Sequence, residues 1–158
     1  AQEIAGLTVL QASSLVGFMG LLNGLGRLGW SSLSDIIGRP NTYIAIFAVE
    51  VVAYIALAST PPPLLFQILL LVIMTGYGGG FATLPAFLGD MFGVRQLGTI
   101  QGYMLTAWAI AGVVGPMSLT WLLQAGVTYT TAFYIFSGLL IVGLGVSLLM
   151  GVNIRKLR

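Results

Sequence analysis

The sequence predicts an all-α membrane protein with five spanning helices, and three observations predict it. Hydrophobic residues make up 58% of the 158 residues, charged residues only 6%, and the mean hydropathy is +1.02. A water-soluble domain carries roughly 25% charged residues, so six basic and four acidic side chains cannot cover a hydrated surface. Second, apolar stretches near the length of about 20 residues that a bilayer demands recur along the whole chain. Third, the segments between them are short and hold Pro, Gly or charge, which leaves no room for a soluble domain. A net charge of +2 gives no basic patch for nucleic acid, and the abundance of Leu, Ile, Val and Phe excludes disorder. The chain has no His and no Cys, so zinc, haem and iron–sulfur sites lose their usual ligands and Ser-His or thiol chemistry is unavailable. No metal, cofactor or enzymatic activity is expected.

The first span is expected over residues 8–34, long enough to tilt. The second covers 42–59, the third 64–88, the fourth 98–123 and the fifth 131–152. The breaks are chemically clear. Asp35 to Pro40 reads as a charged turn ending in proline. Thr60-Pro61-Pro62-Pro63 cannot lie inside a helix. Asp90 to Gln96 is charged and holds Gly93, and Gln124-Ala125-Gly126 is polar and helix-breaking. Such short connections make neighbouring helices antiparallel. Ala1 is not Met and no basic segment precedes the first apolar run, so no signal peptide is expected. The chain is expected to be a piece of a longer or processed protein.

Basic residues set the orientation. Arg39 lies in the first turn, Arg95 in the third, and Arg155, Lys156 and Arg158 follow the last span. Five spans put these segments on one side, and the other two turns carry no charge. The positive-inside rule makes that side cytoplasmic, with the C-terminus inside and Glu3 outside. The terminal cluster reads as an anchor at the lipid headgroups. The expected location is a cell membrane, inner or plasma.

Three polar or amphipathic residues fall near the bilayer centre. Arg27 precedes Asp35 by eight residues, which is about 12 Å at 1.5 Å per residue. Glu50, ten residues after Pro40, comes out at about 15 Å, and so does Trp108, thirteen after Arg95, once the residues of the turn are allowed for. That is the level at which secondary transporters bind substrate. A central arginine costs at least about 2.5 kcal/mol, so Arg27 needs a reason. Asn23, Arg27 and Ser31 repeat every four residues, with Gly20 and Gly24 on the same face. One reading is an anion site, since a guanidinium grips a carboxylate with two parallel hydrogen bonds. The other is an ion pair with Glu50. Glu50 in turn reads as a proton-coupling carboxylate, as the counter-charge of Arg27, or as a protonated hydrogen-bonder.

The run Gly76-Tyr77-Gly78-Gly79-Gly80 has no following Lys-Ser/Thr and lies mid-membrane, so it is not a phosphate loop. Small residues let helices approach closely in lipid, and Pro85 is expected to kink the same span. Gly112, Gly115 and Pro116 form a second small-residue and proline site, for packing or as a hinge. Tyr77, Tyr103 and Trp108 are candidates to line a path. The turns Asp35-Ile36-Ile37-Gly38-Arg39 and Asp90-Met91-Phe92-Gly93-Val94-Arg95 echo each other. They suggest a network of Asp35, Arg39, Asp90 and Arg95 around Gly38, or two separate pairs.

Ser31-Ser32-Leu33-Ser34-Asp35-Ile36-Ile37-Gly38-Arg39 resembles the loop signature of the major facilitator superfamily, Gly-x-Leu-x-Asp-Arg-x-Gly-Arg. Leu33, Asp35, Gly38 and Arg39 match, while Ser31 and Ile36 depart from it. Gly115-Pro116 resembles the Gly-Pro core of the family's helix-5 motif as repeated in helix 11. The resemblance implies a twelve-helix fold of two halves, of which residues 1–158 would supply spans 8 to 12, a partial C-terminal six-helix half. Seven further spans of the same transporter would then be its partners, together with the lipid bilayer. Asn23-Gly24-Leu25-Gly26-Arg27 with Trp30 and Ser34-Asp35, Gly80-Phe81 with Pro85 and Asp90-Met91-Phe92-Gly93, and Thr106-Ala107-Trp108-Ala109 are similar to the oxalate/formate antiporter subfamily. The subfamily's arginine at the position of Arg27 binds carboxylate, and its oxalate transporters carry lysine where Trp108 stands. One cation in place of two implies a small organic anion, a monocarboxylate, with Arg27, Asn23, Tyr77 and Trp108 around it. Alternatives are a proton-coupled exporter or sugar carrier of the same fold, or a non-transporting scaffold.

The orientation is checked by single cysteines labelled in intact cells with an impermeant thiol reagent. Cysteines at residues 60–63 and 124–126 are expected to react from outside. Labelling of Arg39→Cys from outside would overturn the assignment.

Overall fold

The computed structural model describes residues 6–59 and 61–156, with side chains through Ile154. Glu3, Thr60 and Arg158, and the side chains of Arg155 and Lys156, lie outside the described residues. Five helices follow in order: α1 Val9–Ile37, α2 Arg39–Ala58, α3 Pro63–Phe92, α4 Leu97–Gln124 and α5 Tyr129–Lys156. Each is long and apolar enough to cross a membrane. In hydrocarbon, a helix satisfies every backbone group internally, which is why these sequences form helices and no other spanning structure.

The helices run further than the turn chemistry predicts. Asp35 sits in the last turn of α1, Gly38 alone breaks the helix, and Arg39 already belongs to α2. Asp90 likewise lies inside α3, which ends at Phe92. A charged side chain at a helix end reaches the headgroup region without ending the helix, so the stop comes from glycine. Gly38 and Gly93 hold φ of 86° and 75°, the left-handed region that a Cβ disfavours. At the first corner Asn41 Nδ2 donates to the Ile37 carbonyl at 2.6 Å, and Thr42 Oγ1 to the Gly38 carbonyl at 3.0 Å. The Asn41 side chain satisfies a carbonyl that the end of α1 leaves open, and the Thr42 hydroxyl adds to the bond that Thr42 N–H already makes to Gly38 at 3.1 Å. At the opposite end Thr8 and Gln11 form a reciprocal capping box on α1, and Pro63 opens α3 where a missing N–H costs nothing.

The bundle is built on two main contacts, α1 against α3 and α2 against α5, with α2 also packed on α3. The α1–α3 contact is made backbone to backbone. A Cβ on Gly26 would collide with the Thr75 backbone, one on Gly78 with the Asn23 carbonyl, and one on Gly79 with the Trp30 side chain. Trp30 Nε1 donates across the same seam to Thr75 Oγ1 at 3.3 Å. Gly143 of α5 similarly admits the Phe47 ring of α2, whose Cε1 lies 2.6 Å from where a Cβ would stand. Leu15, Leu57 and Phe66 gather into a cluster at the end away from Arg39, with Phe133 packed against it.

Within this chain close packing falls on these glycines, while Gly112 and Gly115 face open space. Helix α4 buries none of its residues and touches α3 and α5 lightly. Pro85 and Pro116 stand inside helices that continue past them. The turn before Pro85 is supported from outside and within. Tyr43 OH of α2 donates to the Gly80 carbonyl at 2.7 Å, and Thr83 Oγ1 donates to Gly79 at 2.9 Å.

The α1–α3 seam is tested by a pair of alanine variants compared by thermal unfolding in detergent. Gly78→Ala forces two backbones apart and is expected to destabilise toward the upper end of about 1–3 kcal/mol. Gly80→Ala, whose Cβ would meet nothing within 4 Å, is expected to be neutral or slightly stabilising. Equal midpoints for the two would sink the close-approach account.

Candidate functional site: a mid-membrane arginine with aromatic neighbours

Arg27 lies ten residues before the end of α1, Phe81 eleven before the end of α3, and Trp108 eleven after the start of α4. At 1.5 Å per residue all three stand about 15–17 Å from the same end of the bundle. The α1–α3 seam fixes the first pair. Arg27 follows Gly26, whose lack of a side chain draws α1 onto α3, and its guanidinium carbon lies 5.7 Å from the centroid of the Phe81 ring. That distance is within cation–π range. Phe81 then meets Trp108, ring centroids 5.6 Å apart and planes tilted by 56°. Trp108 Nε1 donates to Tyr77 OH at 2.8 Å. Tyr77 and Phe81 are four residues apart on α3 and so share one face.

The structure therefore brings Arg27, Tyr77 and Trp108 onto one connected surface through Phe81, a residue that the sequence reading leaves without a role. Its signal was present: it stands four residues from Tyr77, at the depth of Arg27. Arg27, Tyr77 and Trp108 are all exposed in this chain. Asn23 is a turn away from Arg27, and its backbone carbonyl is what Gly78 abuts.

Glu50 stands elsewhere. Its carboxylate Oε1 lies 2.8 Å from where a Cβ on Gly76 would be, at the α2–α3 contact beside Tyr54. Among the described residues no ion pair joins it to Arg27, because the ion pairs within 4.0 Å all fall on Arg39. The reading of Glu50 as counter-charge of Arg27 is thus not what the geometry provides. Two helices, α1 and α2, meet α3 on different faces, and α3 separates the two groups.

At the end marked by Arg39, one arginine gathers two helices. Its Nη1 lies 2.6 Å from Asp35 Oδ1 and donates to Ser34 Oγ at 2.5 Å, while Nε lies 3.5 Å from Asp90 Oδ2. Ser34 is buried. Arg95 is not part of this cluster, and makes no ion pair among the described residues. The reason is one residue. Gly38 is followed directly by Arg39, which opens α2 a helical turn from Asp35, whereas Val94 intervenes after Gly93 and leaves Arg95 in the exposed turn before α4. A cavity of about 520 Å³ opens beside Arg39, lined by Ser34, Asp35, Asn41, Phe87 and Asp90 among others. No group of three or more His, Cys, Asp or Glu able to hold a metal occurs among the described residues.

The Asp35 and Asp90 side chains are 67% and 53% exposed, so each pair is worth the 0.2–1 kcal/mol, roughly, of a surface ion pair. Thermal unfolding of Asp90→Asn, Arg39→Gln and the double variant is expected to show a coupling of about that size. Strict additivity would mean that α1–α2 and α3 are not linked through Arg39.

A family profile described as Major Facilitator Superfamily matches residues 1–156. Over 103 residues, 63% of this chain, the sequence is 31% identical to the oxalate:formate antiporter of Oxalobacter formigenes, of which the match covers 24%. Over 120 residues, 73% of this chain, it is 30% identical to the efflux pump dotC of Dothistroma septosporum, of which the match covers 20%. The chain thus spans about a quarter or less of the length of these relatives, and no solved structure matches it. Both relatives are named as transporters and neither as an enzyme. With five apolar helices and a profile covering nearly all of its length, the chain belongs to the major facilitator superfamily, a family of integral membrane transporters.

Proposed function

We propose that the protein to which this chain belongs carries small organic anions, in particular monocarboxylates, with Arg27 as the carboxylate clamp. The single observation that carries this reading is a mid-membrane arginine with no acidic partner among the described residues, within cation–π range of Phe81. The magnitudes matter. A central arginine costs at least about 2.5–3.5 kcal/mol, and a cation–π contact returns roughly 0.5–2. The remainder is offset if the guanidinium faces a water-filled path and an anion rather than lipid.

In this reading Arg27 presents the edge of its planar group to one carboxylate. Tyr77 accepts from Trp108 and keeps its own hydroxyl proton to donate. Trp108 stands where the oxalate transporters of the similar subfamily have lysine, so a second carboxylate would meet an apolar ring and remain uncompensated. Transport proceeds by rocking two helical halves about the midplane site, with the Arg39 cluster on the cytoplasmic side and the C-terminus inside. The identity to an oxalate:formate antiporter supports the anion class. A second reading, a proton-coupled exporter, is supported by the efflux-pump relative and by Glu50, which has no ion-pair partner among the described residues.

The test is uptake of labelled formate, acetate and oxalate by full-length protein in proteoliposomes. Two hydrogen bonds to a charged group are worth about 1.5–3 kcal/mol each, so Arg27→Gln is expected to lower monocarboxylate uptake on the order of a hundredfold or more. Arg27→Lys keeps the charge without the fork and is expected to fall in between. Trp108→Lys is expected to shift preference toward oxalate. Undiminished uptake by Arg27→Gln would end the clamp reading. Dependence on a proton gradient that vanishes in Glu50→Gln would favour the exporter.

A further inference from the structure

We propose that Phe81 is a positioning residue for the carboxylate clamp, its ring holding the guanidinium of α1 and the indole of α4 in one frame. This rests on the reading of Arg27 given above and deepens it. The guanidinium carbon lies over the Phe81 ring at 5.7 Å from its centroid, and the Trp108 ring packs on Phe81 at 5.6 Å. One turn earlier on α3, Tyr77 OH takes the Trp108 N–H at 2.8 Å. Positions 77 and 81 thus hold the indole by its N–H and by a tilted ring contact at once. The ring contact is the one interaction of the Arg27 head group among the described residues.

The chemistry of that contact suits a clamp. A ring attracts a guanidinium through its π-face and takes up none of its N–H groups as a hydrogen-bond acceptor would, so they remain available to a carboxylate. The arginine is held before substrate arrives, so less of its rotamer freedom is lost on binding. Phe81 is itself well seated. It is half-buried, it follows the glycines that seat α3 on α1, and the Gly80 carbonyl beside it is engaged by Tyr43. Phe81 does not touch the substrate's charge in this scheme; it acts through Arg27.

The test uses full-length transporter in proteoliposomes with labelled formate. Phe81→Leu is expected to raise KM about three- to tenfold with little change in kcat, and Phe81→Tyr to stay within about twofold of wild type. A double-mutant cycle of Phe81→Leu with Arg27→Gln on the thermal midpoint, without ligand, is expected to be non-additive. Phe81→Leu with wild-type KM, or strictly additive midpoints, overturns the role of Phe81 while Arg27→Gln still loses uptake. Arg27→Gln with full uptake, or a wild type that moves neither formate nor acetate, overturns the clamp and the proposal together. Where Phe81→Leu does not fold, ring-fluorinated phenylalanines keep nearly the same shape and weaken the ring's attraction for cations. KM rising with each fluorine is expected, and a flat series overturns the proposal.

Discussion

Bare backbone at the α1–α3 seam is the constraint on which the rest of the molecule depends. In lipid there is little hydrophobic gain in bringing two apolar helices together, so association relies on close van der Waals contact and on a few interhelical hydrogen bonds. Gly26 and Gly78 supply the first, and the Trp30–Thr75 bond supplies the second. Because Gly26 precedes Arg27 and Gly78 lies three residues before Phe81, the same seam decides where the arginine meets the ring. Helix packing and site geometry are one problem in this protein, solved by residues that have no side chain.

Charge is distributed in a way that follows from cost. Where water reaches, at the Arg39 corner, opposite charges sit close together and each pair contributes little. At mid-depth, Arg27 and Glu50 are kept on different faces of α3. An ion pair there would be sealed and inert. Kept apart, neither charge neutralises the other.

The membrane architecture was legible in the sequence because a spanning helix is written in length and apolarity, which a single chain displays directly. The breaks were legible to within a few residues. They erred at Asp35 and Asp90, where charge marks depth in the bilayer and glycine ends the helix. The depth agreement of Arg27 and Trp108 was legible by counting residues from each turn. What counting does not reveal is azimuth, the direction in which a residue faces around its helix. That is why Glu50, level with Arg27 along the axis, was a reasonable partner in sequence and is not one in space. It is also why Gly112 and Gly115 read as packing positions although, within this chain, they meet nothing. Phe81 was missed because its spacing from Tyr77 and its depth show only that it could face Arg27, and an aromatic residue in an apolar span is not singled out until its neighbours on other helices are known.

The corner between α1 and α2 is a single glycine, pinned by Asn41 and Thr42. Mechanically it is a bracket: a tilt of one arm is delivered to the other as torque, with almost no slack to absorb it. The corner between α3 and α4 has four residues, Gly93 to Gln96, held by backbone bonds such as Gly93 N–H to the Gly89 carbonyl at 2.9 Å. It is closer to a tether. Movement started in α1 is therefore passed to α2, and through the broad α2–α5 contact to α5, whereas α4 is held to α3 chiefly at Trp108, by Tyr77 and Phe81. A bundle jointed in this way has one stiff body and one wall pinned to it at mid-depth.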